Sequence, residues 1–257
     1  MSKTLQYFKE ITKYPRPSKH EEQIREFLIS WSQERRHHHA VDGIGNLVVY
    51  VDAKNSTVTT PVILQAHMDM VCVKTPESTH DFSVDPIEIY EQDGYLHARD
   101  TTLGADNGIG VALAMAASEF ASHPPLELAF TVDEEAGMSG VEGLDFSLLS
   151  GRDVINLDME TDDEICISSA GGIGVIATKR LEYVEQTDAL RYTLTISGMQ
   201  GGHSGCEIHQ NRGNALAAIL EFVSRCDAVT AVYDIRGGVA CNVIPSKAEA
   251  VIGIVDK

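Results

Sequence analysis

The sequence predicts an α/β protein. A helix-covered, mostly parallel sheet occupies residues 1–186, and an incomplete α+β lid domain occupies residues 187–257. Three observations carry this reading. Short continuous apolar runs such as residues 61–66 suit strands buried on both faces, as in sheets covered by helices. Helical periodicities alternate with these runs through the first part of the chain. From about residue 187 the order becomes strand, helix, strand, strand, which is most of a split β-α-β sandwich without its last helix and strand. On that order alone the chain is expected to stop inside its second domain at Lys257.

The elements follow from local signals. Ser18 and Glu21 stand at capping-box spacing. Ile24, Phe27, Leu28 and Trp31 then recur at i, i+3, i+4 and i+7, which gives a helix one apolar stripe. His37, His38 and His39 follow Glu34-Arg35-Arg36 at the end of that helix and read as a solvated turn, not a metal site. Asp42-Gly43 reads as a turn and residues 46–51 as a strand. A hairpin is expected around Asp93-Gly94, between residues 87–90 and 95–98. Residues 107–118 read as a helix of small side chains. Leu126, Leu128, Phe130 and Val132 alternate with Glu127, Ala129 and Thr131, which marks a strand, and residues 154–157 mark another. Residues 165–178 read as strand throughout. In the second domain a strand is expected at 192–197. A helix with Leu216, Ile219, Leu220 and Val223 on one face follows, then strands at 230–235 and 248–255.

Composition narrows the function. Of the 257 residues, 38 are acidic and 20 basic, a formal charge of −18. This argues against a DNA- or RNA-coating role, because phosphate binding rests on clustered Lys and Arg. It also argues against adhesion to anionic membranes. Five cysteines without a C-x-x-C pair argue against a disulfide framework and for a reducing compartment. The first ten residues have no apolar signal core, and no apolar run approaches the ~18–20 residues that span a bilayer. A cytoplasmic protein is expected.

The chemistry sits where strands end. His67 and Asp69 follow the run at 61–66, Glu134 and Glu135 follow the strand at 126–132, and Asp158 follows 154–157. Asp106 opens the helix after Gly104. Ligands of α/β sheets gather beyond the carboxyl ends of strands, so separate loops can bring these groups together. Singly, each has a plain structural role: a hydrogen-bonded histidine, a helix N-cap, a solvated strand end, a turn carboxylate. Jointly, like charges meeting in one pocket repel and raise one another's pKa, and a divalent cation removes that problem. Carboxylates plus imidazole suit zinc, manganese or cobalt. An aspartate shared between two ions would give a two-metal site, and a carboxylate off the metals could take a proton from water. Residues two apart on a strand share a face, so Asp69 can orient the His67 ring.

The strings LQAHMDMV, TTLGADNGIG, TVDEEAGM, INLDME, SAGG, GGHSGCEIH and CNVIP, in that order along the chain, resemble the di-zinc metallopeptidase family. That family includes aminoacyl-histidine dipeptidases, tripeptidases, carboxypeptidases that release glutamate, and acyl-amino-acid deacylases. Within it the strings are most similar to the aminoacyl-histidine branch. The resemblance implies that His67 and Asp158 bind one metal, that Asp106 bridges two, and that Glu135 binds the second. It implies a cis peptide at Asp106-Asn107, Asp69 as partner of His67, and Glu134 as general base acting on a water held between the metals. It assigns His203 and Asn242 of the lid to substrate, and it implies a homodimer formed through the lid. The activity implied is hydrolysis of a small peptide, a dipeptide of the Xaa-His type.

One departure is plain. In the family the last ligand of the second metal is a histidine near the end of a much longer chain, and no histidine here stands in the matching motif. A truncated chain with an impaired second site is therefore expected. Three rival readings share part of the pattern. A deacylase or tripeptidase of the same family shares the catalytic groups, and a non-catalytic metal-dependent binding protein needs only the ligands. A nucleotide-binding oxidoreductase would use GIGVIA at 172–177 as a G-x-G-x-x-A turn, but that string lies within a strand reading and opens no helix. A serine hydrolase is set aside because no G-x-S-x-G occurs.

Overall fold

The period of apolar residues places the first helices against a sheet. The computed structural model describes residues 2–159, 161, 163–168, 176, 178–180, 182–184, 188–205, 207–240 and 242–255. They fall into two units, Met1–Gly171 and Gly172–Lys257.

In the first unit, helix α1 (Lys3–Ile11) begins where the Ser2 side chain accepts the Leu5 N–H at 3.2 Å, and it buries Tyr7, Phe8 and Ile11. No such helix was expected from the apolar pattern. Helix α2 (Glu22–Glu34) buries Ile24, Leu28 and Trp31 along the expected stripe. Its start corrects the capping-box reading. The residue at the N-cap position is Glu21, which makes no side-chain cap, and Ser18 lies outside the helix. Both side chains are drawn into hydrogen bonds with segments far along the chain.

Strands β1 (His38–Val41), β2 (Leu47–Val51) and β3 (Val62–His67) follow, then a hairpin of β4 (Ile89–Gln92) and β5 (Tyr95–Ala98). Helix α3 (Ala105–Ala117), β6 (Leu126–Thr131), the short helices α4 (Glu134–Gly137) and α5 (Ser139–Glu142), and β7 (Asp153–Asn156) complete the unit. The sheet order is β1-β2-β6-β3-β7. Strands β6, β3 and β7 run parallel, with Leu64 level with Leu128 on one side and Ile155 on the other. Strands β2 and β1 extend the sheet antiparallel.

Two details correct the expectations. His38 and His39 are strand residues opposite Tyr50 and Val49, not a solvated turn, because they satisfy the otherwise open edge of β2. Among the described residues strand β7 pairs only with β3 and is exposed along its length, whereas its apolar residues suggest burial.

Alternation along the strands sends side chains to two faces. Leu47, Val49, Leu64, Ala66, Leu128 and Phe130 meet α1, α2 and α3 in one apolar cluster. Segment 139–151 lies on the other face: Asn46 donates to the Gly140 carbonyl at 2.8 Å and the Tyr50 hydroxyl to the Leu148 carbonyl at 2.9 Å. Glu127, polar in the alternating pattern, is buried here because its carboxylate accepts from Ser150 and from the Gly151 N–H. The Asp42-Gly43 turn is held by Asp42, whose carboxylate accepts the N–H groups of Ile44, Gly45 and Asn46.

The second unit holds β8 (Leu190–Ile196), β9 (Gly202–His203), α6 (Ala215–Arg225), β10 (Val229–Gly237), β11 (Val243–Ile244) and β12 (Ala248–Ile254). Strands β10, β12 and β8 form an antiparallel sheet in that order. Ala215 and Ile219 of α6 pack on Ala248, Ala250 and Ile252. Leu220 lies at the flank of that stripe and is 48% exposed, with Ala215 in the core where the larger residue was expected. Strands β9 and β11 form a separate ribbon. The SAGG string and most of the GIGVIA string fall outside the described residues. So does most of the strand read over 165–178, whose described residues carry no strand.

Two outcomes are expected. Ile219→Ala lowers stability by about 2–5 kcal/mol, whereas Leu220→Ala costs under about 1 kcal/mol; urea unfolding followed by circular dichroism measures both. Burial works against the charge of Asp42, but its hydrogen bonds to Asn46 and neighbouring N–H groups outweigh that and hold the carboxyl below the usual range. Its stabilising effect is therefore present above the ordinary carboxylate pKa and is lost as pH falls through the depressed value. Asp42→Asn should flatten the acid limb of the stability curve below about pH 4.

Candidate metal centre

Four segments of chain build the site. Strand β3 ends at His67 and runs on through Met68 to Asp69, all three buried. After β6, Asp133 adopts the left-handed conformation (φ 52°), one that Asp and Asn tolerate better than most residues. The turn it makes points the Glu134 and Glu135 N–H groups at Asp69, whose two carboxylate oxygens accept them at 3.0 and 3.1 Å. Before α3, Gly104 is left-handed (φ 68°), and the Asp106-Asn107 peptide that follows is cis. Past β7, the Leu157 N–H donates to the Gln65 carbonyl at 2.8 Å, which carries the parallel pairing up to Asp158.

These segments bring together residues far apart in the chain. His67 Nε2 lies 2.9 Å from an Asp106 carboxylate oxygen, 3.6 Å from Asp158 and 3.9 Å from Glu134. One donor atom from each of His67, Asp106 and Glu135 lies within 4.8 Å of the others. The other ring nitrogen, Nδ1, faces Asp69, 3.1 Å from its carbonyl and 3.2 Å from its carboxylate. The ring is thus aimed from behind, and Nε2 is turned toward the carboxylates.

Electrostatics shows what the cluster is short of. Burial disfavours the charge on His67, yet the Asp69 hydrogen bond and the charges of Asp158 and Asp69 outweigh it and raise the ring to about 9. Burial and the neighbouring Asp106 push Glu135 up to about 7. Burial, with Asp106 and Glu134 beside it, pushes Asp158 up to about 6, although the His67 charge opposes this. Asp69 goes the other way. Burial opposes its charge, but His67, Ser18 and the two N–H groups hold it at about 2. The carboxylates therefore compete for protons, and the imidazole of His67 is the positive partner that lies among them. A divalent cation supplies that missing charge. Oxygen donors with one imidazole are the set such ions take, so the residues present fit a metal.

Three supporting side chains were not foreseen in these roles. Ser18 donates to the Asp69 carboxylate at 2.7 Å, Glu21 accepts the Asp133 N–H at 3.0 Å, and buried Arg16 donates to the carbonyls of Met68 and Asp69. The string R-P-S-K-H-E carried a signal, but one that helix capping explained equally well. His203 and Asn242 lie in the second unit. They are neighbours in the ribbon, where Val243 is level with His203 and the Ser204 N–H donates to the Asn242 carbonyl at 2.8 Å.

Comparison with known proteins shows what the chain is similar to. Residues 63–223 match the profile of peptidase family M20/M25/M40. The chain is 40% identical over 253 residues to the cytosol non-specific dipeptidase of Escherichia coli, covering 96% of this chain and 52% of that protein. A crystal structure of the aminoacylhistidine dipeptidase from Vibrio alginolyticus superposes with a TM-score of 0.68 at 32% identity, over 98% of this chain and 53% of that one. A tripeptidase from Staphylococcus aureus shares the fold, with a TM-score of 0.55 at 18% identity over 99% of this chain and 66% of that one. The chain spans about half the length of the curated relative it matches.

Ser18→Ala separates the two readings of that serine. Loss of the hydroxyl that supports Asp69 is expected to weaken divalent-metal affinity about tenfold, as loss of an outer-shell partner does. Stability should change by no more than about 0.5 kcal/mol. Calorimetric titration with Zn(II) and a urea curve measure the two effects, and a lost helix cap would reverse the pattern.

Proposed function

Because the chain belongs to peptidase family M20/M25/M40, we propose that it carries the metal centre of a cytoplasmic dipeptidase that hydrolyses dipeptides of the Xaa-His type, with zinc as the metal. The observation that carries this reading is the convergence of His67, Asp106 and Glu135, with Asp158 and Glu134 beside the imidazole. His67 and Asp158 would hold one ion, Asp106 would be shared, and Glu135 would hold the second. Among the described residues the second ion is assigned only Asp106 and Glu135, so its affinity is expected to be the weaker. Manganese or cobalt suits the same donors.

When bound, the cations supply Lewis acidity to the peptide carbonyl and to the attacking water. The protein does the rest. Asp69 holds the His67 ring and, through two N–H bonds, fixes the turn that presents Glu134. Glu134 accepts a proton from the water as its oxygen bonds to the carbonyl carbon, then passes that proton to the nitrogen as the C–N bond breaks. A cavity of about 250 Å³ lined by Ala105, Ile109, Leu157 and Met159 lies alongside Asp106 and Asp158, with room for one substrate side chain. His203 and Asn242 are proposed as substrate contacts, and residues 187–257 as the lid through which a homodimer forms. A deacylase or tripeptidase would use the same groups. A panel of β-alanyl-histidine, other dipeptides, N-acyl amino acids and tripeptides, read by mass spectrometry, distinguishes them.

Glu134→Gln is expected to keep metal affinity within about twofold and to reduce hydrolysis about 10²–10⁴-fold. Turnover close to wild type would reject Glu134 as the base. Asp106→Ala should remove both ions at once, which native mass spectrometry of the zinc-loaded chain reads directly. Metal that stays bound without any peptide hydrolysis would favour a non-catalytic binding protein.

A further inference from the structure

We propose that Arg16 is a positioning residue for the metal centre: its guanidinium sets the spacing between the loop that carries His67 and Asp69 and the helix start that carries Asp106. The inference rests on the metal reading above. Arg16 is 2% exposed, and its guanidinium hydrogen bonds go to main-chain carbonyls, not to the His67 ring or the Asp106 carboxylate. It holds the backbone next to them instead. Nη1 donates to the carbonyls of Met68 and Asp69, each at 3.1 Å, and Nη2 donates to the carbonyl of Gly104, two residues before Asp106. The main chain of the same residue joins in, because the Met70 N–H donates to the Arg16 carbonyl at 3.1 Å.

The chemistry explains why arginine stands here. A buried cation is costly unless its donors are satisfied. A planar fork of fixed N–H directions can span two segments at once, which the point charge of a lysine cannot do. The surroundings are cut to the fork. A Cβ on Gly104 would lie 2.5 Å from Nη2, and one on Gly108 would lie 2.7 Å from it. The guanidinium thus fills space that two glycines of the Asp106 helix leave open. The rest of the 16–21 segment extends the brace, with Ser18 on the Asp69 carboxylate and Glu21 on the Asp133 N–H. Three of the four ligand-bearing segments, those of His67, Asp106 and Glu135, are therefore tied to one short stretch of chain. Distances within such a site must hold to about half an ångström for the ligands to work together.

Two variants separate geometry from charge. Arg16→Lys keeps the charge and loses the fork. Gly108→Ala keeps Arg16 but pushes its guanidinium aside, at a position whose φ is not positive. Each is titrated with Co(II), alongside the wild type, and followed by the visible absorption of the bound ion, with folding checked by circular dichroism. The expected result is that both variants fold, bind Co(II) at least about tenfold more weakly and show a shifted visible band. Folded variants with wild-type affinity and spectrum would overturn the inference and leave the metal reading standing. Unfolding of both would mark Arg16 as a general core group and overturn it too. A wild-type chain that takes up no Co(II) would overturn the metal reading and the inference with it.

Discussion

Carboxylates from Asp106, Glu134, Glu135 and Asp158 crowd one imidazole at the ends of β3, β6 and β7. Their mutual repulsion is the constraint that the rest of the first unit has to manage. Left alone, such a cluster would open or take up protons, and the raised values of Glu135 and Asp158 show the second tendency. The protein keeps the groups close by spending neutral donors on the backbone around them. Asp69 is the hinge of that arrangement. It is fully buried, accepts from Ser18 and two N–H groups, and faces the His67 ring.

The sheet makes this possible. Parallel pairing puts the ends of β3, β6 and β7 at one edge, so three loops emerge side by side. The apolar cluster beneath them, from Phe8 and Leu28 to Phe130, fixes that edge in place. Burial of ordinary hydrophobic side chains thus positions a polar site that would not hold together by its own interactions. The reversals at Gly104 and Asp133 complete the geometry, and both use residues that tolerate a left-handed backbone.

Much of this was legible in the sequence because it rests on local periodicity. The stripe of Ile24, Leu28 and Trp31 and the runs that became β2, β3 and β6 announce themselves within one or two turns of chain. Asp69, Glu134, Glu135 and Asp158 were legible because each follows a strand, and Asp106 because it opens a helix. What escaped depended on distant partners. Ser18 and Glu21 have the spacing of a capping box, yet their hydrogen bonds go to Asp69 and to Asp133. His38 and His39 looked like a solvated turn because nothing nearby shows that β2 needs a partner. Arg16 gave no local sign of its role, since the carbonyls it holds are more than fifty residues away. Helix α1 was missed because Tyr7, Phe8 and Ile11 make too short a stripe to stand out.

The account stands on a cation held by His67 and Asp158 and shared through Asp106 with a second ion at Glu135. Crystals of the chain soaked in Zn(II), with anomalous diffraction collected at the zinc edge, test it most directly. The strongest anomalous peak is predicted within coordination distance of His67 Nε2 and the Asp106 carboxylate. A peak elsewhere, such as at His37–His39, with none among these four side chains, would contradict it.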